Sequence, residues 1–345
     1  MTRLQSNLRV GVSIGSGHFG DVHIGHDDVH GEVAVKILRQ RPSEPDPDWR
    51  ARKANLLTEG QRLSQATHRN VVQVYQLLEA PTDDAVLLVM EYCTGGSLQS
   101  EFEHGPMQLD ELRRHSTDIA LGLQALHLRG MLHRDIKPGN LLIDRQGVTK
   151  LGDFGLVTNN LILGYGSAAG YLDHLAPEVH AGSPTSARTD IWALGMTIYR
   201  LLHGSAWYTK SPPPRLSIPA GGFATHLPWL PHIPDPWRRF IRKCLNDKPA
   251  SRYQNATEVA NALATLPTGP GWLCSVTTSA VSWARRTATR QVEVLWTEHS
   301  PRRHEWRAWS EPLGMGKSRA LGGSQGTVGF ADLRRQLGVF FARYL

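Results

Sequence analysis

Between residues 8 and 40 apolar and polar positions alternate. Val10, Val12 and Ile14 share one face of "LRVGVSIGSG", and Val33, Val35 and Ile37 share one face of "GEVAVKIL". This is the two-residue period of a half-buried strand. "GDVHIGHDD" lies between them, and the reversals carry glycine (Gly15, Gly17, Gly20) and Asp-Asp-Val-His-Gly, so the segment predicts three antiparallel strands. "RPSEPDPDW" (41–49) reads as a proline-rich connector, and residues 50–66 as a helix with Leu56, Glu59 and Leu63 near one face. Gly60 costs that helix about 1 kcal/mol relative to alanine, which suits an element that moves. "VVQVYQLLEA" and "AVLLVMEYC" add two strands and complete a sheet of five.

After "TGGSL" the period becomes helical, as in "LDELRRHSTDIALGLQALHLRG". Residues 211–236 are too rich in proline to predict regular structure; helices follow near 236–246 and 256–265, and "PTGPGW" (267–272) reads as a boundary. The fold class is therefore α+β and bilobal: a small antiparallel β-rich lobe with one key helix (about 8–92), then a larger, mostly helical lobe (about 96–266). Residues 267–345 form an extension in which 290–298 predicts a strand and 330–345 an amphipathic helix with Phe330, Leu333, Leu337, Phe341 and Tyr344 inward.

Composition changes this picture little. The 345 residues contain no apolar run near the roughly 20 that a membrane span needs, and the first fifteen residues lack the apolar region of a secretory signal. Cys93, Cys244 and Cys274 are odd in number and scattered, which predicts a reducing, cytoplasmic setting. Charge is uneven: after residue 284 there are eleven Lys/Arg against five Asp/Glu, so +6 of the chain's +7 belongs to the tail.

The candidate chemistry is phosphate handling. Gly15, Gly17 and Gly20 lie between two antiparallel strands, which argues against a dinucleotide fold and for a flap whose backbone amides cover phosphates. A glycine turn alone is an equally ordinary hairpin. Lys36 alternates with Ala34 toward that flap, and buried lysine needs a partner; Glu59 is the available counter-charge. In "LHRDIKPGNLLI" (132–143) a carboxylate, an ammonium and an amide are set among leucines. Phosphoryl transfer asks a protein mainly to position charge. Asp135 suits orientation of a hydroxyl and acceptance of its proton, Lys137 the moving phosphoryl, and Asn140 with Asp153 of "LGDFGL" a Mg²⁺ ion, which favours few carboxylates plus phosphate oxygens.

These residues resemble the eukaryotic-type protein kinases, of the serine/threonine form. The likeness runs in order from Ile14 to about Leu266: the glycines with Val22, Lys36, Glu59, "HRDIKPGN", "DFG", "APE" (176–178), "DIWALG" (190–195) and Arg252. It implies an ATP- and Mg²⁺-dependent transfer to a Ser/Thr hydroxyl of a protein substrate. It also implies an adenine slot with Ile14, Val22 and Ala34 above, Leu142 below, Met90 as gatekeeper, and hinge hydrogen bonds from the backbone of Glu91 and Cys93. His133, Phe154 and Leu63 look like an apolar stack aligning the lobes, while Glu178 with Arg252, and Asp190, look structural.

The activation segment departs from the family's usual "GTPxYMAPE", reading "GSAAGYLDHLAPE" (166–178). Counted back without gaps, Tyr171 takes the bridging threonine's place and Ser167 the phosphosite; aligned on "GSAAGYL", Ser167 is the bridging hydroxyl and "DHL" a small insertion. Arg134 before Asp135 suits a response to loop phosphate, so autophosphorylation is expected at Ser167 first and Thr158 second. "HIGHDDVH" reads better as a solvated hairpin than as a metal cluster. In the tail, Trp283, Trp296, Trp306 and Trp309 among arginines suggest either a basic aromatic surface for nucleic acid or an acidic protein, or, preferably, an appendage that packs its tryptophans on the preceding lobe. The rival functions are a pseudokinase scaffold, which predicts loss of Lys36, Asp135, Asn140 or Asp153, and a nucleic-acid adaptor acting through the tail. None of those four residues is missing.

Overall fold

The computed structural model describes residues 7–17, 20–64, 67–80, 84–153 and 172–344, with backbone alone at 16, 17, 57–63 and 172. Its first layer is a sheet of β1 (Arg9–Gly17), β2 (Gly20–Asp27), β3 (Gly31–Arg39), β4 (Val74–Glu79) and β5 (Ala85–Glu91), in the order β1-β2-β3-β5-β4 and antiparallel throughout. The turn between β2 and β3 is built on Asp27, which is fully buried. One carboxylate oxygen accepts the backbone N–H groups of Val29 and His30, each at 2.9 Å, and the other accepts Gln76 Nε2 at 3.1 Å. His30 stacks on Tyr75 with ring centroids 4.0 Å apart. The alternation of β3 sends Val33, Val35 and Ile37 into one apolar cluster with Leu87 and Val89, and Leu38 into the main core on the other side.

The helix α1 (Asp46–Ser64) starts inside the stretch expected to be a connector. Pro47 falls in its first turn, where a missing N–H costs nothing, and Asp46 and Asp48 complement the positive end of the helix dipole.

The second lobe contains α2 (Leu98–His104), α3 (Leu109–His127), the short pair β6 (Leu141–Ile143) and β7 (Thr149–Leu151), α4 (Pro177–His180) and α5 (Ala187–Tyr208). The axis of the lobe is α5, capped by Ser186: its hydroxyl accepts Arg188 N–H at 3.2 Å while its own N–H donates to Thr189 Oγ1 at 3.0 Å. Near the end, Gly204 has φ 71°, and a Cβ there would stand 2.6 Å from the Gly105 carbonyl carbon, so the close crossing with α2 requires glycine. Residues 211–236, expected to be irregular, include two short helices, α6 (Pro214–Ala220) and α7 (Phe223–His226). Proline opens α6 at its first position, where it is tolerated. Then come α8 (Asp235–Cys244) and α9 (Ala256–Ala264).

The extension is a second antiparallel sheet of β8 (Leu273–Val276), β9 (Ala280–Arg286), β10 (Arg290–Ser300), β11 (Arg303–Pro312) and β12 (Arg319–Gly323), covered by α10 (Phe330–Ala342). Trp283, Trp296 and Trp306 are buried with Leu333, Leu337, Phe340 and Phe341, in the same continuous core as the helical lobe. Phe330, expected inward, is 42% exposed because it opens the helix at the sheet's margin. The seam is specific: Trp207 meets Trp296 edge-on at 5.9 Å, Trp283 Nε1 donates to His232 Nδ1 at 2.8 Å, and Lys210 donates to Glu298 at 2.8 Å. Among the described residues no helix is long and apolar enough to cross a membrane.

Candidate active site

The loop after α3 folds around a buried aspartate that is not itself in the cleft. Asp190, at the start of α5, accepts the backbone N–H of His133 at 2.9 Å, that of Arg134 at 2.8 Å, and His127 Nε2 at 2.9 Å. Burial raises its pKa, but the His127 hydrogen bond and the neighbouring imidazoles more than offset this and leave it below the usual carboxylate range. These bonds hold Arg134 at φ 69°, a left-handed conformation that costs a non-glycine residue about 1–3 kcal/mol. The strained backbone turns the next residue, Asp135, inward, where it is 2% exposed.

Asp135 is then clamped on one side. Its Oδ2 accepts Lys137 Nζ at 2.7 Å and Asn140 Nδ2 at 2.8 Å, and Asn140 Nδ2 also reaches the Asp135 carbonyl at 2.8 Å. Pro138–Asn140 form a single 3-10 turn that places the amide five residues along. The other carboxylate oxygen, Oδ1, is buried and has no hydrogen-bond partner among the described residues. A buried acceptor without a donor is costly and uncommon.

The second acidic residue is tied to this loop through the backbone. Gly152 N–H donates to Asn140 O at 2.9 Å, and His133 Nε2 lies 3.1 Å from Gly152 O. The His133 ring is fully buried, and burial pushes its pKa down, so it stays neutral and donates from Nε2 while Nδ1 accepts the Asp135 N–H at 3.3 Å. Asp153 follows, again left-handed at φ 55°. Its Oδ1 receives Lys36 Nζ from β3, and Lys36 is 4% exposed. The structure therefore brings Lys36, Asp135, Lys137, Asn140 and Asp153 to one place. The Glu59 side chain lies outside the described residues.

The residues expected around an adenine lie on β2, β3, β5 and β6. Ala34 is buried opposite Met90 in the β3–β5 register, Val22 pairs with Lys36, and Leu142 is bridged to Ser97. Gly15 and Gly17 pair with Val22 and Gly20 in the flap, and Ile14 is 45% exposed at its rim. In the connection between lobes, Glu91 pairs with Lys150 at 3.0 Å, and Cys93 O accepts Gly96 N–H at 3.3 Å. Burial pushes the Cys93 thiol up to about 12, which makes it inert at neutral pH.

A Mg²⁺ ion fits the donors present. Asn140 commits its N–H₂ to Asp135, which leaves its Oδ1 for a cation, and Asp153 has Oδ2 beyond the Lys36 contact. One neutral and one anionic oxygen are the hard donor set such an ion takes alongside phosphate oxygens.

Phe154, Thr158, Ser167 and Tyr171 lie outside the described residues. Beyond them, His174 is buried; it falls in the "DHL" that one of the two alignments makes a small insertion. Its Nε2 accepts Arg200 Nη1 at 2.6 Å and its Nδ1 is 3.5 Å from Thr197 Oγ1, which donates to the Ile136 carbonyl at 3.3 Å. Tyr208 secures the adjoining Asp173 at 3.3 Å. Glu178 and Arg252 form a bidentate pair, both contacts at 2.7 Å, with Arg252 wholly buried.

Comparison with known proteins agrees with this arrangement. A family model described as "Protein kinase domain" matches residues 8–263. The chain is 32% identical over 217 residues to a hormonally up-regulated neu tumor-associated kinase homolog of Xenopus tropicalis, covering 61% of this chain and 30% of that protein. It is 32% identical over 256 residues to the mitogen-activated protein kinase kinase kinase YODA of Arabidopsis thaliana, covering 72% and 28%. It is 28% identical over 269 residues to a probable serine/threonine-protein kinase of Clostridium acetobutylicum, covering 76% and 40%. The chain thus spans well under half the length of these relatives.

Proposed function

The chain belongs to the protein kinase family, and on that footing we propose that it transfers the γ-phosphoryl group of ATP to a serine or threonine hydroxyl of a protein. The observation that carries the proposal is the asymmetry of Asp135. One oxygen is held by Lys137 and Asn140, and the other is buried and, among the described residues, unpartnered. A substrate hydroxyl supplies the missing donor: Asp135 Oδ1 accepts its hydrogen bond, aligns the oxygen for attack and takes the proton as the new P–O bond forms and the bond from the γ-phosphorus to the ADP oxygen breaks. Lys137, fixed on the same carboxylate, offsets charge on the transferring group. Lys36 orients the α- and β-phosphates, with Glu59 as the partner that keeps it in place. The adenine lies between Ile14, Val22 and Ala34 on one side and Leu142 on the other, beside Met90, with the Glu91 and Cys93 backbone as its hydrogen-bonding edge, while Gly15, Gly17 and Gly20 cover the phosphates.

Asn140 and Asp153 would hold Mg²⁺, which neutralises phosphate charge that one lysine cannot. The same reading makes residues 8–266 the kinase unit and 267–345 its extension. It assigns regulation to autophosphorylation at Ser167 and Thr158, with Arg134 as the partner of the phosphate. A reducing, cytoplasmic site of action rests on the scattered cysteines. Against an adaptor that binds nucleic acid through exposed aromatics stands the burial of Trp283, Trp296 and Trp306.

The test is label transfer from radioactive ATP with Mg²⁺ to a generic basic protein, by wild type, Asp135→Asn and Lys36→Met. Label is expected with wild type and nearly none with either variant. Equal label in all three would place the activity elsewhere.

A further inference from the structure

A cleft lined by arginines lies where the extension meets the helical lobe. A cleft of about 350 Å³ opens between Trp229 and Arg238 on one side and Ala331, Arg334, Arg335 and Gly338 on the other. The last four recur three and four residues apart, so they share one face of α10, and the short side chains of Ala331 and Gly338 leave the space open between the arginines. Outside the lining, a fourth arginine, Arg242, stands 5.5 Å from the Trp229 ring. The carboxylates within ion-pair reach of these four arginines, among the described residues, are Asp235, 3.7 Å from Arg238, and Asp332, 3.2 Å from Arg335. Both are largely exposed, at 74% and 61%.

Arg238 shows the imbalance most clearly. Its Nη2 reaches the carbonyls of Leu230 and Pro231 at 3.4 and 3.2 Å, and among the described residues neither its Nε nor Trp229 Nε1 has a hydrogen-bond partner. Burial, followed by the charges of Arg334 and Arg242, holds its pKa below the ordinary value although Asp235 opposes this. The cleft is therefore lined by more guanidinium groups than carboxylates, and its net charge is positive. Guanidinium groups in this density match phosphate oxygens in bidentate fashion.

We propose that this cleft binds a phosphorylated serine or threonine side chain of a protein segment, with Arg238, Arg334 and Arg335 on the phosphate and Trp229 with Ala331 against the residue that carries it. The cavity is larger than a bare phosphate, and part of its wall is apolar, which suits a side chain with its flanking peptide. An extended polyanion is a poorer match, because the open face of the adjoining sheet mixes Arg307 with Glu293, Glu305 and Glu311 and gives no continuous basic track. None of the cleft's residues belongs to the site around Asp135, and the inference does not depend on the transfer reaction.

The test uses the full chain in fluorescence anisotropy with two labelled peptide pools, degenerate around one fixed phosphoserine or around serine. The phosphorylated pool is expected to bind about tenfold or more tightly than its serine counterpart, and the exposed double variant Arg334→Ala/Arg335→Ala to lose about tenfold of that affinity. Arg302→Ala/Arg303→Ala, on the β10–β11 turn, and Asp135→Asn are expected to bind like wild type. Equal binding of the two pools, or undiminished binding by the Arg334/Arg335 variant, would overturn the proposal. So would loss of binding in Asp135→Asn, which would place the peptide in the catalytic cleft. A single-stranded oligothymidylate that binds more tightly than the phosphopeptide pool, through the same arginines, would overturn it in favour of nucleic acid.

Discussion

Asn140 donates its side-chain amide to Asp135 twice, at 2.8 Å to the backbone carbonyl and at 2.8 Å to Oδ2. One short turn therefore fixes both the path of the loop and the rotamer of its carboxylate. Asn140→Ala removes that clamp together with the oxygen proposed to hold Mg²⁺. It is expected to lower kcat about a hundredfold or more, because misplacement of a reacting group by an ångström has that effect, while chemical melts stay within about 2 kcal/mol of wild type. Steady-state kinetics beside urea unfolding checks the split; a fall in stability with kcat retained would contradict it.

The pair of Glu178 and Arg252 is a different kind of contact. Arg252 is fully buried and also bonds the carbonyls of Asn246 and Arg188, at 2.7 and 3.0 Å. Removing one partner leaves an uncompensated charge, so Glu178→Gln is expected to destabilise by about 3–5 kcal/mol. The double change Glu178→Leu/Arg252→Met should recover part of that loss. Urea midpoints for the two variants decide the matter.

Acid should weaken the fold before the carboxylates titrate. Burial lowers the pKa of His203 and of His232 to about 3 each, and lowers those of His133 and His174 in the same direction. The unfolded chain therefore binds more protons than the folded chain below about pH 6.5, and stability falls as pH drops from there toward 3. At pH 5 a single such histidine costs about 2 kcal/mol relative to pH 8. Unfolding free energies measured at pH 8, 6 and 5 should decline, and His232→Phe should flatten the slope; a pH-independent stability would refute this account.

Trp296 joins the extension to the helical lobe by its contact with Trp207, and Lys210 lies over both rings, at 5.5 and 5.7 Å. Trp296→Ala is expected to cost about 3–5 kcal/mol, against at most about 1 kcal/mol for Lys210→Met, whose pair with Glu298 is partly exposed. Calorimetry should show a single transition that shifts as a whole, because the core runs unbroken across the seam. Two separate transitions in the wild type would show that the extension melts on its own.

Most of the site was legible in the chain because its groups are neighbours in sequence. Asp135, Lys137 and Asn140 fall within six residues of one tight loop, so they are brought into contact locally. The first five strands were legible for the same reason, since their alternation is local. The extension was legible only in part, at β10 and α10. On β11 the buried face is His304, Trp306, Ala308 and Ser310, half of it polar, so hydropathy shows no stripe. Those polar groups are tolerated inside only because Trp296 Nε1 meets His304 Nδ1 at 3.3 Å and Arg290 Nε meets Ser310 Oγ at 2.9 Å, across strands. Periodicity carries no record of such partners.

From residue order alone followed the sheet of five strands, the helical lobe and the cluster around Asp135, all products of short-range geometry and burial. Folding in three dimensions decided which distant groups meet as ion pairs or hydrogen-bond partners: Lys36 with Asp153, Arg252 with Glu178, and His174 with Arg200. Attraction between charges acts over a few ångströms of space and is indifferent to the length of chain between them, so it becomes readable only once packing has set those distances.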